Sequence, residues 1–167
     1  MEIRRRTEDD LAACKRLAGA VHERDGYPPR YADDLAALFT AVPAIAAWVA
    51  VDGDELVGHV ALNERTTSVA MQLVVEATGI PAAGLVVLAR LLVSPAARRR
   101  GIAGALVGVA LADARRRGRR AILDVATPLE PAVELYEALG WVRLGTVTAT
   151  FTDAEPLDEH VYLSPAE

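Results

Sequence analysis

The segment Leu85–Gly104 constrains this chain more than any other. Leu85–Val93 is a nearly unbroken apolar run of strand length, the pattern of a strand buried on both faces. Ser94-Pro95 stops it, because proline supplies no N–H and cannot continue a ladder. A turn dense in arginine and small residues follows, and Gly101–Arg117 then reads as an amphipathic helix with Ile102, Leu106, Val109 and Ala110 on one face. Gly101, Ala103 and Gly104 have small or no side chains, so a ligand can come close to the backbone. N–H groups in a first helical turn have no acceptor within the helix, and the helix dipole adds positive potential there. Arg98, Arg99 and Arg100 supply multi-donor cations beside those N–H groups. The segment is therefore a strand–turn–helix unit expected to hold a phosphate or pyrophosphate at its helix start.

The rest of the chain supplies the partners such a unit needs. Met1–Arg6 reads as a short strand; Thr7 caps a helix that opens with Glu8, Asp9 and Asp10 and has Leu11, Cys14, Leu17, Ala18 and Val21 on its apolar face. Asp25-Gly26-Tyr27-Pro28-Pro29 breaks that pattern, and Asp33–Phe39 reads as a second short helix. Ile45–Val51 and Glu55–Leu62 form a hairpin across Asp52-Gly53-Asp54. Val69–Ala77 is a helix candidate ended by Gly79-Ile80-Pro81, Ala121–Val125 a buried strand, and Pro131–Leu139 a helix stopped by Gly140. Val142–Phe151 and His160–Leu163 complete the set as strands. Early hairpins followed by strand–helix–strand–helix imply an α/β chain with one mixed sheet and helices on both faces.

Composition excludes several classes. A length of 167 residues suits a single domain, residues 1–167. No apolar run reaches the roughly 18 residues that span a bilayer, and no signal-peptide stretch follows the basic N-terminus, so a cytoplasmic protein without membrane contact is expected. A net charge of −5 disfavours general nucleic-acid binding, although eight of the eighteen Lys and Arg residues lie between Arg98 and Arg120. The second half of that concentration, Arg115–Arg120, complements the C-terminal end of the helix dipole. Cys14 is the only cysteine and sits at helical spacing among apolar residues, which favours packing over thiol chemistry. His22, His59 and His160 are dispersed and no Cys/His cluster accompanies them, so no metal site is expected.

Two motifs then coincide. Val93-x-Pro95 leads into Arg98-x-x-Gly101-x-Ala103, and Ala132-Val133-Glu134-Leu135-Tyr136-Glu137-Ala138-Leu139-Gly140-Trp141 lies downstream of the Ala121–Val125 strand. Together they resemble the signatures of the GNAT superfamily of acyl-CoA-dependent N-acyltransferases, most strongly over Leu85–Gly145. The resemblance implies a GNAT-like fold, with a mostly antiparallel twisted sheet of about six or seven strands flanked by about four helices and splayed at the acetyl-CoA site. It also implies acetyl-CoA as co-substrate and an amine acceptor. The backbone of Leu91, Leu92 and Val93 would pair with the pantetheine arm, and Arg98, Arg99, Arg100, Gly101, Ile102, Ala103 and Gly104 would cradle the pyrophosphate. Tyr136, by its own pattern a packed helical aromatic, falls where the family's general acid acts, and a phenol is a credible proton donor to a thiolate.

The chain departs from the family pattern in two places. Leu129 stands where many relatives carry an Asn on the coenzyme arm, with Glu130 or Thr127 as nearby polar substitutes. Leu85–Val93 carries no carboxylate, so the general base is sought at Glu64, Glu76 or His59, or in a water chain. Loss of catalysis with retention of acyl-CoA binding is the alternative function. A nucleotide-binding domain ranks behind both, since neither a Gly-Lys-Ser/Thr phosphate loop nor a Gly-x-Gly-x-x-Gly fingerprint is present. The acceptor regions carry Asp33, Asp34, Asp153, Glu155, Asp158 and Glu159, which lean towards a cationic amine. Homodimerisation through the terminal strands is compatible with this organisation.

Overall fold

A computed structural model of the chain describes residues 1–28 and 33–166. In chain order its elements are β1 (Glu2–Arg5), α1 (Leu11–Asp25), α2 (Ala37–Thr40), β2 (Ala44–Asp52), β3 (Glu55–Asn63), α3 (Ser68–Thr78), β4 (Leu85–Val93), α4 (Ile102–Arg116), β5 (Arg120–Ala126), α5 (Glu130–Ala138), β6 (Val142–Ala149) and β7 (Leu157–Leu163). The strands form a seven-stranded mixed sheet in the order β1-β2-β3-β4-β5-β7-β6. Contacts group the chain into two units, Met1–Asn63 with Leu88–Ala112 and Glu64–Val87 with Asp113–Glu167. No helix among the described residues is long and apolar enough to cross a membrane.

In the first unit β1, β2 and β3 form an antiparallel meander, with Arg5 opposite Trp48 and Trp48 opposite Val60. Gly53, at φ 63°, makes the Asp-Gly turn between β2 and β3. The start of α1 is fixed by charge. Asp10 accepts both guanidinium nitrogens of Arg4 at 2.8 Å and the backbone N–H of Thr7 at 2.7 Å. Arg4 and then Thr7 hold its carboxyl well below the usual carboxylate range, although burial works the other way. The helix buries Cys14, Leu17, Ala18 and Val21 against Leu38, Phe39, Val49 and Leu92. Burial pushes the Cys14 thiol up to about 11, which leaves it protonated and inert.

The helix expected over Asp33–Phe39 is shorter and later, Ala37–Thr40, because Asp34 forms a turn that accepts the N–H groups of Ala36 and Ala37. Pro29, the end of the expected break, lies outside the described residues.

Helix α4 lies on β3 in this unit through Gly58. A Cβ built there would meet Leu106 Cδ1 at 2.8 Å, Ile102 Cγ2 at 3.1 Å and Ala50 Cβ at 3.2 Å. The absent side chain lets the start of α4 approach the strand closely. Val107 is buried in place of the expected Val109, which is half-exposed.

In the second unit Leu85–Val87 of β4 pair in parallel with Arg120–Ile122 of β5. Strand β5 pairs antiparallel with β7, and β7 with β6. Ala70 and Val74 of α3 pack on Leu85, Val87, Ile122 and Val161. Strand β7 begins at Leu157, three residues before the expected start, because Asp158 and Glu159 already pair with Thr148 and Val147.

The crowding around Gly58 gives a stability prediction. Gly58→Ala should destabilise by about 1–2 kcal/mol through overpacking, lowering the thermal midpoint by roughly 2–8 °C. An unchanged midpoint would show that α4 is not seated on β3 as described.

Candidate active site

The turn between β4 and α4 has the backbone that the sequence calls for. Pro95–Ala97 form one tight helical turn, with Ala97 N–H bonded to Ser94 C=O at 2.9 Å. Arg99 then takes φ 61° and Gly101 φ 75°. Two left-handed residues on either side of Arg100 reverse the chain here, and turns with such residues can aim successive N–H groups into an anion-binding concavity. The first bond of α4 runs from Ala105 N–H to Gly101 C=O at 3.0 Å, so the N–H groups of Ile102, Ala103 and Gly104 precede any helical acceptor. A Cβ on Gly101 would meet nothing within 4 Å, so the site is open there and φ alone favours glycine.

The three arginines are not equivalent. Arg98 pairs with Asp25, the last residue of α1, with Nη1 at 3.2 Å from Oδ1 and Nη2 closer still to Oδ2. Arg100 Nη2 donates to Asp52 Oδ2 at 2.8 Å. The exposed Arg99 carries the strained φ at the apex of the turn. The guanidinium closest in chain to Gly101 and the one that opens the motif are thus both held by carboxylates.

Immediately upstream, Leu92 is buried in the first unit's core, and Leu91 and Val93 are half-exposed. The parallel pairing of β4 with β5 runs over Leu85–Val87, so Leu91–Val93 lie beyond it. Arg90, one residue earlier, has φ 56° in mid-strand. That conformation costs on the order of 1–2 kcal/mol for a residue with a Cβ. Sequence pattern gives no sign of it, since an arginine in an apolar strand reads as a solvent-facing position.

His59, a candidate base, sits on β3 and is fully buried. Its Nδ1 is 2.8 Å from the Arg90 carbonyl oxygen and its Nε2 is 3.0 Å from Arg6 Nη1. The carbonyl can only accept and the guanidinium can only donate, so both contacts are satisfied by the neutral Nδ1–H tautomer alone. Burial above all, with the Arg6 and Arg90 charges, brings the imidazole down to about 4 despite the bond to Arg90. A buried imidazole with both nitrogens engaged is not a general base; its role is structural. Glu64 is exposed and paired with Arg119 at 2.7 Å, and Glu76 is exposed and accepts Gln72 Nε2 at 2.8 Å.

Tyr136, in the second unit, is buried on α5 with its ring edge-on to Trp141 at 5.7 Å and tilted against Tyr162 at 6.4 Å. The next residue anchors the helix: Glu137 Oε1 accepts Tyr162 Oη at 2.9 Å and Arg143 Nη2 at 2.6 Å, and Arg143 Nε donates to Tyr162 Oη at 3.0 Å. These contacts, Tyr162's first, lower the Glu137 carboxyl. Leu129 opens α5, its carbonyl accepting the N–H groups of Ala132 and Val133, so its contribution here is backbone capping.

One carboxylate of this unit escaped the sequence reading. Asp124, in the apolar run of β5, is half-buried and accepts Thr66 Oγ1 at 2.6 Å. Asp124 lies opposite Val161, and Ala126 opposite Glu159. The two-residue period puts Asp124 and the buried Glu159 on one face of the β5–β7 ladder, roughly 7–8 Å apart on the diagonal. An acidic residue interrupting a buried strand was the available signal.

Residues 9–141 match the family model described as the acetyltransferase (GNAT) family. The chain belongs to that family. Among solved structures it is similar to Arabidopsis thaliana NAA60 in complex with acetyl-CoA, at 23% identity and TM-score 0.70, over 97% of this chain and 96% of that one. It is also similar to yncA of Salmonella typhimurium with its cofactor acetyl-CoA, at 17% identity and TM-score 0.67, covering 98% and 92%. A putative phosphinothricin N-acetyltransferase matches at 17% identity and TM-score 0.69, covering 99% and 98%. A search of curated protein sequences found no match. At these identities the structures establish the GNAT fold, and the mixed seven-stranded sheet agrees with it.

His59 gives this GNAT protein a defined acid response. Its folded pKa, about 4, lies below the ordinary histidine value of 6.5, so the unfolded chain takes up the proton first as pH falls. The stability it contributes is complete above about pH 6.5 and declines towards pH 4, by up to about 3 kcal/mol over that window. Thermal midpoints at pH 7.0 and 5.0 should therefore fall more steeply for wild type than for His59→Asn. Equal slopes would contradict the buried neutral imidazole.

Proposed function

We propose that this chain is an N-acetyltransferase that moves the acetyl group of acetyl-CoA onto a primary amine of a small molecule, amino acid or peptide. The observation that carries the reading is the turn Arg98–Gly104. Positive φ at Arg99 and Gly101 and the unbonded N–H groups of Ile102, Ala103 and Gly104 form a cradle for a pyrophosphate. Family membership supports acetyl-CoA as the ligand carrying that pyrophosphate, as do the two relatives of like fold that hold acetyl-CoA. The Leu91, Leu92 and Val93 backbone receives the pantetheine arm, and Arg98, Arg99 and Arg100 supply charge to the phosphates.

In the reaction the neutral amine's lone pair attacks the thioester carbonyl carbon. The C–N bond forms, the C–S bond breaks and the amine loses a proton. Tyr136 donates its phenolic proton to the departing thiolate, in the role that its place in the second motif supports. The aromatic packing and the Glu137 anchor on α5 suit that task, because they restrict the tyrosine to one orientation. His59 is excluded as the base, so the amine proton leaves through another carboxylate or through water. Asp124 and Glu159 on one sheet face suit an acceptor that arrives as an ammonium cation.

Saturating acetyl-CoA, at about a hundred times its dissociation constant, should add roughly 2.7 kcal/mol of stability and raise the thermal midpoint by about 5–10 °C. ATP and NAD serve as controls. Tyr136→Phe should keep that shift and lower kcat for thiol release by about a hundredfold or more. No shift with acetyl-CoA would remove the acetyltransferase reading. A shift without thiol release from any amine in a broad panel would favour an acyl-CoA-binding module.

A further inference from the structure

The φ of 56° at Arg90 bends a strand whose next three residues are those assigned to the pantetheine arm, and the surroundings hold that bend from two sides. The Arg90 carbonyl is taken by His59 Nδ1–H at 2.8 Å, and the Arg90 side chain returns its Nε to the Leu38 carbonyl at 2.9 Å. His59 itself has no freedom to leave. Its ring stands edge-on to Phe39 at 4.9 Å and 79°, and Arg6 Nη1 occupies its other nitrogen at 3.0 Å. A carbonyl committed to a side chain on the next strand is withdrawn from the regular ladder, and the strand changes direction after it. Just past the end of β4, Ser94 N–H donates to Val57 C=O at 2.8 Å. The Leu91–Val93 backbone therefore lies between two fixed points on β3, one a side chain and one a carbonyl.

We infer that His59 is a positioning residue for acetyl-CoA: by holding the Arg90 carbonyl it sets the bend that presents the Leu91–Val93 backbone to the pantetheine arm. The inference rests on the proposed function. It makes no demand on the pyrophosphate turn, and that separation is what the test uses.

Dissociation constants of the full chain are measured for acetyl-CoA and for 3′-phosphoadenosine 5′-diphosphate, which has the pyrophosphate and lacks the arm. His59→Leu should weaken acetyl-CoA about tenfold, the equivalent of one lost hydrogen bond, and leave the nucleotide within about twofold. His59→Asn, whose amide N–H can stand where Nδ1–H stood, should restore acetyl-CoA binding; His59→Gln, with its amide one bond farther out, should not. Equal losses for both ligands, or equal acetyl-CoA binding by the Asn and Gln variants, would overturn the inference. Nitrogen-15 NMR of the wild-type imidazole gives an answer that needs no variant to fold. A neutral ring protonated at Nδ1 is expected at pH 7, and protonation at Nε2 would overturn the inference. Wild type that binds neither ligand would instead overturn the proposed function, with the NMR result still reporting on the His59–Arg90 contact.

Discussion

Between Val93 and Ile102 the chain has to leave a buried strand, reverse, and begin a helix whose first N–H groups stay free of backbone acceptors. Each demand limits the next. Pro95 ends the ladder, the tight turn at Pro95–Ala97 lowers the chain towards the first unit's core through buried Ala97, and Arg99 and Gly101 reverse it with positive φ. The helix that follows can begin where it does because Gly58 leaves room for Ile102 and Leu106 on β3. Move the helix start outward by the width of a methyl group and the N–H groups of Ile102, Ala103 and Gly104 would be aimed elsewhere. The shape of this turn is thus a consequence of close helix–strand packing, and a missing Cβ on a neighbouring strand sets it as much as any arginine does.

The same strand shows how buried polar groups can serve geometry instead of proton transfer. His59 is held neutral, its donor on Arg90 and its acceptor facing Arg6. A protonated ring would set an Nε2–H against the Arg6 guanidinium, with no acceptor for either. The arrangement is therefore stable at neutral pH only as long as the imidazole does no acid–base work. In the second unit the Glu137, Tyr162 and Arg143 contacts play the corresponding part for α5, fixing a helix through a polar triad at its sheet-facing edge.

Much of this was legible in the sequence, for physical reasons. Strand β4 was read to the residue because its apolar run is bounded by glycine and proline, the β2–β3 hairpin because Asp-Gly permits few alternatives, and α3 and α5 because Gly79 and Gly140 end them in the left-handed conformation. The motif pair over Leu85–Gly145 pointed to the family that the match over residues 9–141 establishes. What stayed hidden depends on register and on contacts far apart in the chain. No periodicity distinguishes a strained Arg90 from an ordinary strand arginine, or shows that His59 faces inward onto its carbonyl. Asp124 was passed over because a single acidic residue does not change the apolar average of β5, and only the pairing with β7 puts it on the same face as Glu159. The short helix α2 was misplaced because Asp34 caps a turn where helix propensity alone would have started the helix.

The carboxylates on Arg98 and Arg100 compete with any phosphate for these arginines. Both pairs are partly exposed, with side-chain exposures of 35% and 30% for Arg98 and Asp25, and 49% and 36% for Arg100 and Asp52. Pairs so hydrated hold a guanidinium only weakly. A phosphate held also by convergent backbone N–H groups offers an arginine a charge-assisted bond of about 1.5–3 kcal/mol. Under the proposed function, exchange of Asp25 or Asp52 for a phosphate oxygen is favoured. Without ligand the two aspartates keep the guanidinium groups of a crowded, like-charged turn from repelling one another. They also restrict the rotamers that phosphate binding would otherwise have to order. Under the proposed function the two aspartates are placeholders, holding Arg98 and Arg100 until an anion takes their place.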